Sequence, residues 1–240
     1  MSDRSIGVRA AIKLRRALQT RAEATRWQAI YDRYRQSTML SRQAYVDNLA
    51  IASLVAREAA LSGHGVVECG TWRGGMAAGL MEILGSDRRY HFFDSFSGLP
   101  EARVIDGEAA LLWQANKSGP TYFENCTASE DEFRKTIAFA GKTSRACTIH
   151  RGLFNDTVPK SETGALALLR VDGDWYDSTM TCLEGLLPRV AIGGVVIIDD
   201  YGTWDGCTRA VHDYLATHKR AESIERYGRS AVPHLRIRGT

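Results

Sequence analysis

Four aspartates stand in two tight groups, Asp172-Gly173-Asp174 and Asp199-Asp200. Each group closes a strongly apolar run, Leu166 to Val171 in one case and Val195 to Ile198 in the other. Apolar runs of that length, bounded by glycine, read as fully buried strands of a parallel sheet. Such strands deliver their C-terminal residues to one common edge, the edge where open α/β sheets bind ligands. Four carboxylates would then meet in one crevice. Without a counter-ion they would repel one another, and some of their pKa values would have to rise. A hard divalent cation resolves the conflict, because oxygen-only ligation suits Mg²⁺ or Ca²⁺ better than zinc.

A second set of residues lies upstream. The run Val66-Val67-Glu68-Cys69-Gly70 reads as a strand and leads through Thr71-Trp72-Arg73 to Gly74-Gly75. These glycines let the chain turn tightly and bring the free N–H groups of the next helix to the surface, an anion-binding arrangement. The next strand ends at Asp94, 24 residues after Gly70. An acidic side chain there can accept the hydroxyls of a ribose, so a nucleoside-containing cofactor follows. NAD and S-adenosylmethionine both offer a ribose. A dinucleotide site wants G-x-G-x-x-G so that backbone can touch pyrophosphate, and the second glycine of that pattern is missing here. Glu68, two places before Gly70, suits a cofactor with a sulfonium centre and an ammonium group better than one with a pyrophosphate.

The elements that must position these residues alternate between strand and helix, the pattern of an α/β fold with a doubly wound, mostly parallel sheet and helices on both faces. Helices are predicted over residues 8–35 and 42–61, the second capped by Ser41. Further helices follow from Gly74-Gly75, over 130–140, over 178–187 up to Pro188, and from Gly206 to about His218. Strands are predicted at 66–70, 90–94, 147–150, 166–171, 195–198, 223–227 and 234–238. Residues 95–129 show no strong period apart from a short helix over 106–114. An excursion of that length in a compact domain is usually a lid or binding loop. The organisation expected is a helical extension over residues 1–62 packed on one domain over 63–240, with a homo-oligomer formed through the N-terminal helices as an open possibility.

Composition narrows the class. The 240 residues are 44% hydrophobic and 25% charged, which is ordinary for a globular domain and excludes wholesale disorder. A formal net charge of +3 is too mild to argue for nucleic acid. Five cysteines without C-x-x-C spacing suggest reduced thiols and a cytoplasmic setting. No run of 18 apolar residues is present, so no membrane span is expected. Cys207, His150 and His212 are read as packing or surface residues. Trp113, Tyr122, Phe123 and Trp204 either line an apolar acceptor pocket or close the core.

Several segments recur in order and at compatible spacings from Thr38 to Tyr214. They are Thr38-Met39, Glu68 to Gly75, Asp94 to Pro100, Gly152 to Thr157, Leu169 to Met180 and Gly193 to Tyr201, with Gly206-Cys207 after them. In these segments the chain resembles the macrocin O-methyltransferase family, metal-dependent enzymes that use S-adenosylmethionine to methylate hydroxyl groups of macrolide and aminocoumarin natural products. The resemblance implies a class I methyltransferase fold with a seven-stranded sheet whose last strand returns antiparallel. It implies that Asp172, Asp199 and Asp200 hold Mg²⁺ and that Asp174 is the general base. It also implies that Thr38, Met39, Glu68, Cys69, Gly70, Thr71 and Trp72, together with Asp94, Ser95, Phe96 and Phe154, surround the cofactor. The acceptor would be a glycosylated or phenolic small molecule. The residues alone leave two rivals: an NAD-dependent oxidoreductase and a non-catalytic cofactor-binding scaffold.

Overall fold

The computed structural model describes residues 21–140 and 147–239. The first half of the helix predicted over 8–35 lies outside them, and its second half, α1, is helical over residues 21–34. Seven strands form one sheet: β1 (Gly65–Cys69), β2 (Tyr90–Asp94), β3 (Cys147–Arg151), β4 (Leu166–Val171), β5 (Val190–Ile198), β6 (Glu225–Tyr227) and β7 (Val232–Arg236). Their order is β3-β2-β1-β4-β5-β7-β6. All neighbours are parallel except β7, which runs antiparallel to both β5 and β6. Strand order reverses between β1 and β4, which makes their C-terminal ends the place where such a sheet opens a crevice.

Because side chains alternate across a strand, β1, β4 and β5 each feed two cores. Val66, Leu168 and Ile197 pack with α2 (Arg42–Arg57), α3 (Gly75–Leu84) and the helix at Glu130–Phe139, while Val67, Leu169 and Val196 pack with the helices at Tyr176–Leu186 and Asp205–Thr217. β1 and β4 are buried at every position, which is why they read as continuous apolar runs. Ser41 caps α2, its side chain accepting from the Ala44 N–H, and Tyr45 of α2 donates to the Gly75 carbonyl at 2.7 Å. That bond ties the N-terminal layer to the turn after β1.

Several boundaries differ from the sequence reading; the helix predicted over 42–61 ends at Arg57 before a separate 3₁₀ turn at Ala59–Leu61, and the strand predicted at 223–227 spans only Glu225–Tyr227. β5 starts at Val190 rather than Val195, because the Gly193 N–H and the Gly194 carbonyl pair with the main chain of Ile237 and carry the strand through the glycine pair. β7 starts at Val232 rather than His234 and includes Pro233, which pairs with Arg226 of the edge strand β6. The 95–129 excursion folds as a short 3₁₀ turn at Val104–Asp106, a helix at Glu108–Ala115, and an unexpected element at Phe123–Cys126. Those four residues have φ of 45, 54, 59 and 58°, a turn of left-handed helix. Each such residue costs roughly 1–2 kcal/mol. Asn125 offsets this: its amide donates to the Leu99 carbonyl at 2.7 Å and accepts from Gln114 at 3.0 Å.

One charged residue sits inside the sheet. Arg170, in the middle of the apolar β4 run, is 1% exposed. β1–β4 register places Glu68 directly beside it, and strand periodicity puts Asp172 on the same face. Its Nη1 lies 2.9 Å from Glu68 and 2.7 Å from Asp172, and its Nη2 lies 2.6 Å from Asp199. The Asp199 contact is a close charge contact rather than an aligned hydrogen bond, since Nη2 has no acceptor in line. A buried charge left without its partner is far more costly than the pair is valuable. Arg170→Met is therefore expected to lower unfolding free energy by about 3–5 kcal/mol in urea titration. Adding Glu68→Gln to it should cost less than the sum of the two single changes; full additivity would contradict the clamp.

On the other face a buried histidine meets a half-buried one. His91 Nδ1 and His150 Nε2 are 3.1 Å apart, and His150 stacks on Phe93 at 4.1 Å. Burial, then the charge of His150, lowers the His91 pKa to about 4. Between about pH 6.5 and 4 the unfolded chain binds a proton that the folded chain does not, so this part of the stability is complete above pH 6.5 and is lost as pH falls toward 4. Melting temperature should drop across that window, and His91→Gln should flatten the drop; a slope unchanged in the variant would contradict it.

Candidate active site

The C-terminal edge of β1, β2, β4 and β5 opens into a cavity of about 890 Å³. Hydrogen bonds continue the parallel ladder one step past the strands, from the Asp172 N–H to Cys69 and from the Asp199 N–H to Val171, both 2.9 Å. The two aspartates are thereby carried to the same edge. Gly70 makes the approach possible: its φ is 82°, and a Cβ there would stand 1.9 Å from the Asp172 carbonyl oxygen.

Two ends of the cavity differ in chemistry. At one end lies the turn after β1. Asp94 Oδ2 accepts from the Thr71 and Trp72 N–H groups at 2.7 and 2.9 Å, and its Oδ1 accepts from the Phe96 N–H at 2.8 Å. The carboxylate expected to meet a ribose thus also pins the glycine-rich turn, and Oδ1 keeps capacity for a further donor. Glu68 Oε1 faces Arg170, whereas Oε2 is buried without a hydrogen-bond partner and Glu68 lines the cavity. Burial raises the Glu68 carboxyl to about 8 despite Arg170. An orphaned buried acceptor of this kind fits a ligand that brings its own donors and positive charge, as the ammonium and sulfonium of S-adenosylmethionine would.

Thr38, Met39, Gly70, Thr71, Trp72, Asp94, Ser95 and Phe154 also line the cavity. Cys69 and Phe96 do not: Cys69 is fully buried in the core beneath the sheet edge, and Phe96 packs on Phe133 with ring centres 5.7 Å apart. Phe96 contributes through its N–H on Asp94 instead.

At the other end are the acids. Asp172, Asp174 and Asp200 each offer an oxygen, all within 4.8 Å of one another. Asp199 stands beside this trio with one oxygen on Arg170. The sequence reading grouped Asp199 with Asp172 and Asp200 and set Asp174 apart as a base; the geometry brings Asp174 into the cluster and turns Asp199 toward the guanidinium. Asp172 divides its contacts in the same manner, one oxygen on Arg170 while the residue still belongs to the trio.

Asp174 has φ of 54°, its N–H donates to Asp200 Oδ2 at 3.0 Å, and its Oδ1 accepts from the Trp204 indole at 3.0 Å. Left-handed backbone in a residue with a Cβ marks a site where the surroundings override local preference. Burial and the charge of Asp172 push Asp174 up to about 8, burial pushes Asp199 up to about 6, and burial followed by the charge of Asp174 raises Asp200 well above the usual range. Arg170 touches Glu68, Asp172 and Asp199 but neither Asp174 nor Asp200. The counter-ion that the strand pattern lacked is therefore partly internal. Asp174 and Asp200 are left as carboxyls without a positive partner, an oxygen donor set that fits a hard divalent cation able to displace their protons.

Arg170 escaped the sequence reading because it was counted within an apolar run; a lone guanidinium in a strand otherwise made of Leu, Ala and Val was the available signal. Residues 95–129 form the cavity wall. Trp175 donates its indole N–H to the Pro100 carbonyl at 2.9 Å, the Tyr176 N–H donates to Asp106 at 2.7 Å, and Arg103 pairs with Asp177 at 2.6 Å. Asp177, a candidate helix cap from sequence, lies in the first turn of the following helix, and the position before that helix belongs to Trp175, which makes no side-chain cap bond.

Known proteins resemble this chain in sequence and fold. The family model described as Macrocin-O-methyltransferase (TylF) matches residues 5–234. The 8-demethyl-8-(2,3-dimethoxy-alpha-L-rhamnosyl)-tetracenomycin-C 4'-O-methyltransferase of Streptomyces olivaceus is 36% identical over 66% of this chain and 60% of its own length. The demethyldecarbamoylnovobiocin O-methyltransferase of Streptomyces niveus is 33% identical over 72% of this chain and 66% of its own. The match thus spans just under two thirds of either relative. Among solved structures, the O-methyltransferase NovP superposes with a TM-score of 0.72 at 27% identity, covering 85% of this chain and 83% of that one. CalS11, a calicheamicin methyltransferase, shares the fold with a TM-score of 0.58 at 20% identity, covering 79% and 78%. With the family model covering nearly its whole length, and with the sheet order and site just described, the chain belongs to the macrocin O-methyltransferase family.

Proposed function

We propose that this chain is an S-adenosylmethionine- and Mg²⁺-dependent O-methyltransferase that acts on a hydroxyl of a sugar or phenol in a small natural product. The observation that carries the reading is the meeting, in one cavity, of an acid cluster and a glycine turn with a partnerless buried carboxylate oxygen. The relatives are named for transfer to a rhamnosyl tetracenomycin, a novobiocin precursor and mycinamicin III, which supports a glycosylated acceptor. None of the five cysteines is in a disulfide, and no described helix is long and apolar enough to cross a membrane; the setting proposed is the cytoplasm.

Asp172 and Asp200 would hold the cation, joined by Asp199 through the oxygen that Arg170 leaves. When bound, the cation would lower the pKa of the acceptor hydroxyl and S-adenosylmethionine would supply an electrophilic methyl group. Asp174 takes the hydroxyl proton. Transfer of that methyl to the hydroxyl oxygen would leave the C–S electron pair on the sulfur of S-adenosylhomocysteine and the proton on Asp174. Glu68 and Asp94 orient the cofactor, and the 95–129 wall keeps water from the reacting atoms.

The test is methyl transfer from methyl-labelled S-adenosylmethionine to a panel of rhamnosylated polyketides, aminocoumarin glycosides and macrolide glycosides. Label is expected in an O-methyl product, lost with EDTA and restored by Mg²⁺; activity that survives chelation would contradict the metal. Asp174→Asn should lower kcat by about 10²–10⁴ while leaving stabilisation by S-adenosylhomocysteine unchanged. Stabilisation by NADH and none by S-adenosylhomocysteine would favour the oxidoreductase instead.

A further inference from the structure

Beyond the acid cluster, the acceptor end of the cavity is built from tryptophan. Trp113, Trp175 and Trp204 all line it, with ring centres 5.3 to 6.0 Å apart and planes crossing at 62 to 69°. Every indole N–H is engaged: Trp113 on the Thr121 hydroxyl at 3.1 Å, Trp175 on the Pro100 carbonyl at 2.9 Å, Trp204 on Asp174 at 3.0 Å. None of the three rings can swing without breaking a bond. Trp175 is 2% exposed and serves as the packed base of the group, while Trp113 and Trp204 are half-buried. What those two present to the cavity is therefore ring surface, beside a carboxylate.

Trp204 is fixed by the same turn that carries the acids. It lies at the end of the turn that follows β5, its N–H donating to the Asp200 carbonyl at 3.2 Å. Asp174 is thus held from two sides, its backbone by Asp200 and its Oδ1 by Trp204. One carboxylate oxygen, Oδ2, is left to face a hydroxyl. We propose that Trp204 is a positioning residue for Asp174 and that, with Trp113, it forms the wall on which the sugar ring of a glycosylated acceptor lies. This rests on the methyltransferase reading above and deepens it.

The chemistry that fits such a corner is a pyranose. Its C–H groups form an apolar face that packs on indole, and its hydroxyls point sideways toward the carboxylate. A phenol could stack on only one of the two indoles at a time, and the comparison with phenol below separates the two acceptors. Here the Trp113 and Trp204 planes meet at 62°, which suits a chair-shaped ring with C–H groups both along and across its mean plane.

The two roles separate by substitution. Trp204→Phe keeps ring surface and removes the N–H; Trp113→Ala removes ring surface and leaves Asp174 untouched. With the acceptor turned over in the assay above, Trp204→Phe should lower kcat by about tenfold or more with KM within about twofold, and Trp113→Ala should do the reverse. Trp204→Gln, which restores an N–H donor without an indole face, should recover part of kcat while raising KM. Saturation-transfer NMR with methyl α-L-rhamnopyranoside, in the presence of S-adenosylhomocysteine and Mg²⁺, reads the wall alone. The sugar signal is expected in the parent and in Trp204→Phe, and at most weakly in Trp113→Ala. Equal sugar signals in all three proteins, no sugar signal beside a clear one from phenol, or a Trp204→Phe change confined to KM would overturn the proposal. Stabilisation by S-adenosylhomocysteine should be the same in every variant, so its absence from the parent would mark failure of the methyltransferase reading and not of this one.

Discussion

Arg170 is the interaction on which the site depends. Parallel pairing of β1, β4 and β5 brings Glu68, Asp172 and Asp199 to one edge of one face, an arrangement that a water-poor sheet interior would reject if nothing opposed the charge. The guanidinium opposes it from within β4, reaching one acid on each of the three strand ends. A planar fork of donors can serve several carboxylates at fixed angles, which a lysine could not do. The clamp is partial. It offsets the charge of the acids it touches but reaches neither Asp174 nor Asp200, whose carboxyls burial and the neighbouring acids raise above the usual range.

The fold and the site were legible to different depths. Apolar runs at Leu166–Val171 and just before Gly70 located the central strands, because a strand buried on both faces has no alternation to hide it. The acids at the ends of β4 and β5 followed from the same pattern. Less visible was anything that depends on contact between distant segments. Which oxygens of Asp172, Asp174, Asp199 and Asp200 converge is decided by Arg170 and by the left-handed backbone at Asp174, and neither has a local signature in the sequence. The helical turn at Phe123–Cys126 was equally hidden, since no glycine announces its four positive φ values.

The 95–129 segment illustrates how an irregular stretch becomes a wall. It has little periodicity because it builds little core of its own; Ala102 and Ala110 pack with Trp175, and the rest is held by polar bonds to the loop after β4. The same loop carries Asp172 and Asp174. Acceptor wall and acid cluster are therefore mechanically joined, through Trp175 and Tyr176 on one side and Trp204 on the other. Cofactor-facing groups, by contrast, hang on β1 and β2 and on the Asp94 bonds to the glycine turn.

The most direct test of this account is anomalous diffraction from crystals grown with Mn²⁺ and S-adenosylhomocysteine. A single peak bonded to Asp172 and Asp200, with Arg170 still on Glu68, is the result expected. No peak at that edge, or a lysine or arginine from elsewhere in the chain swung into its place, would contradict it.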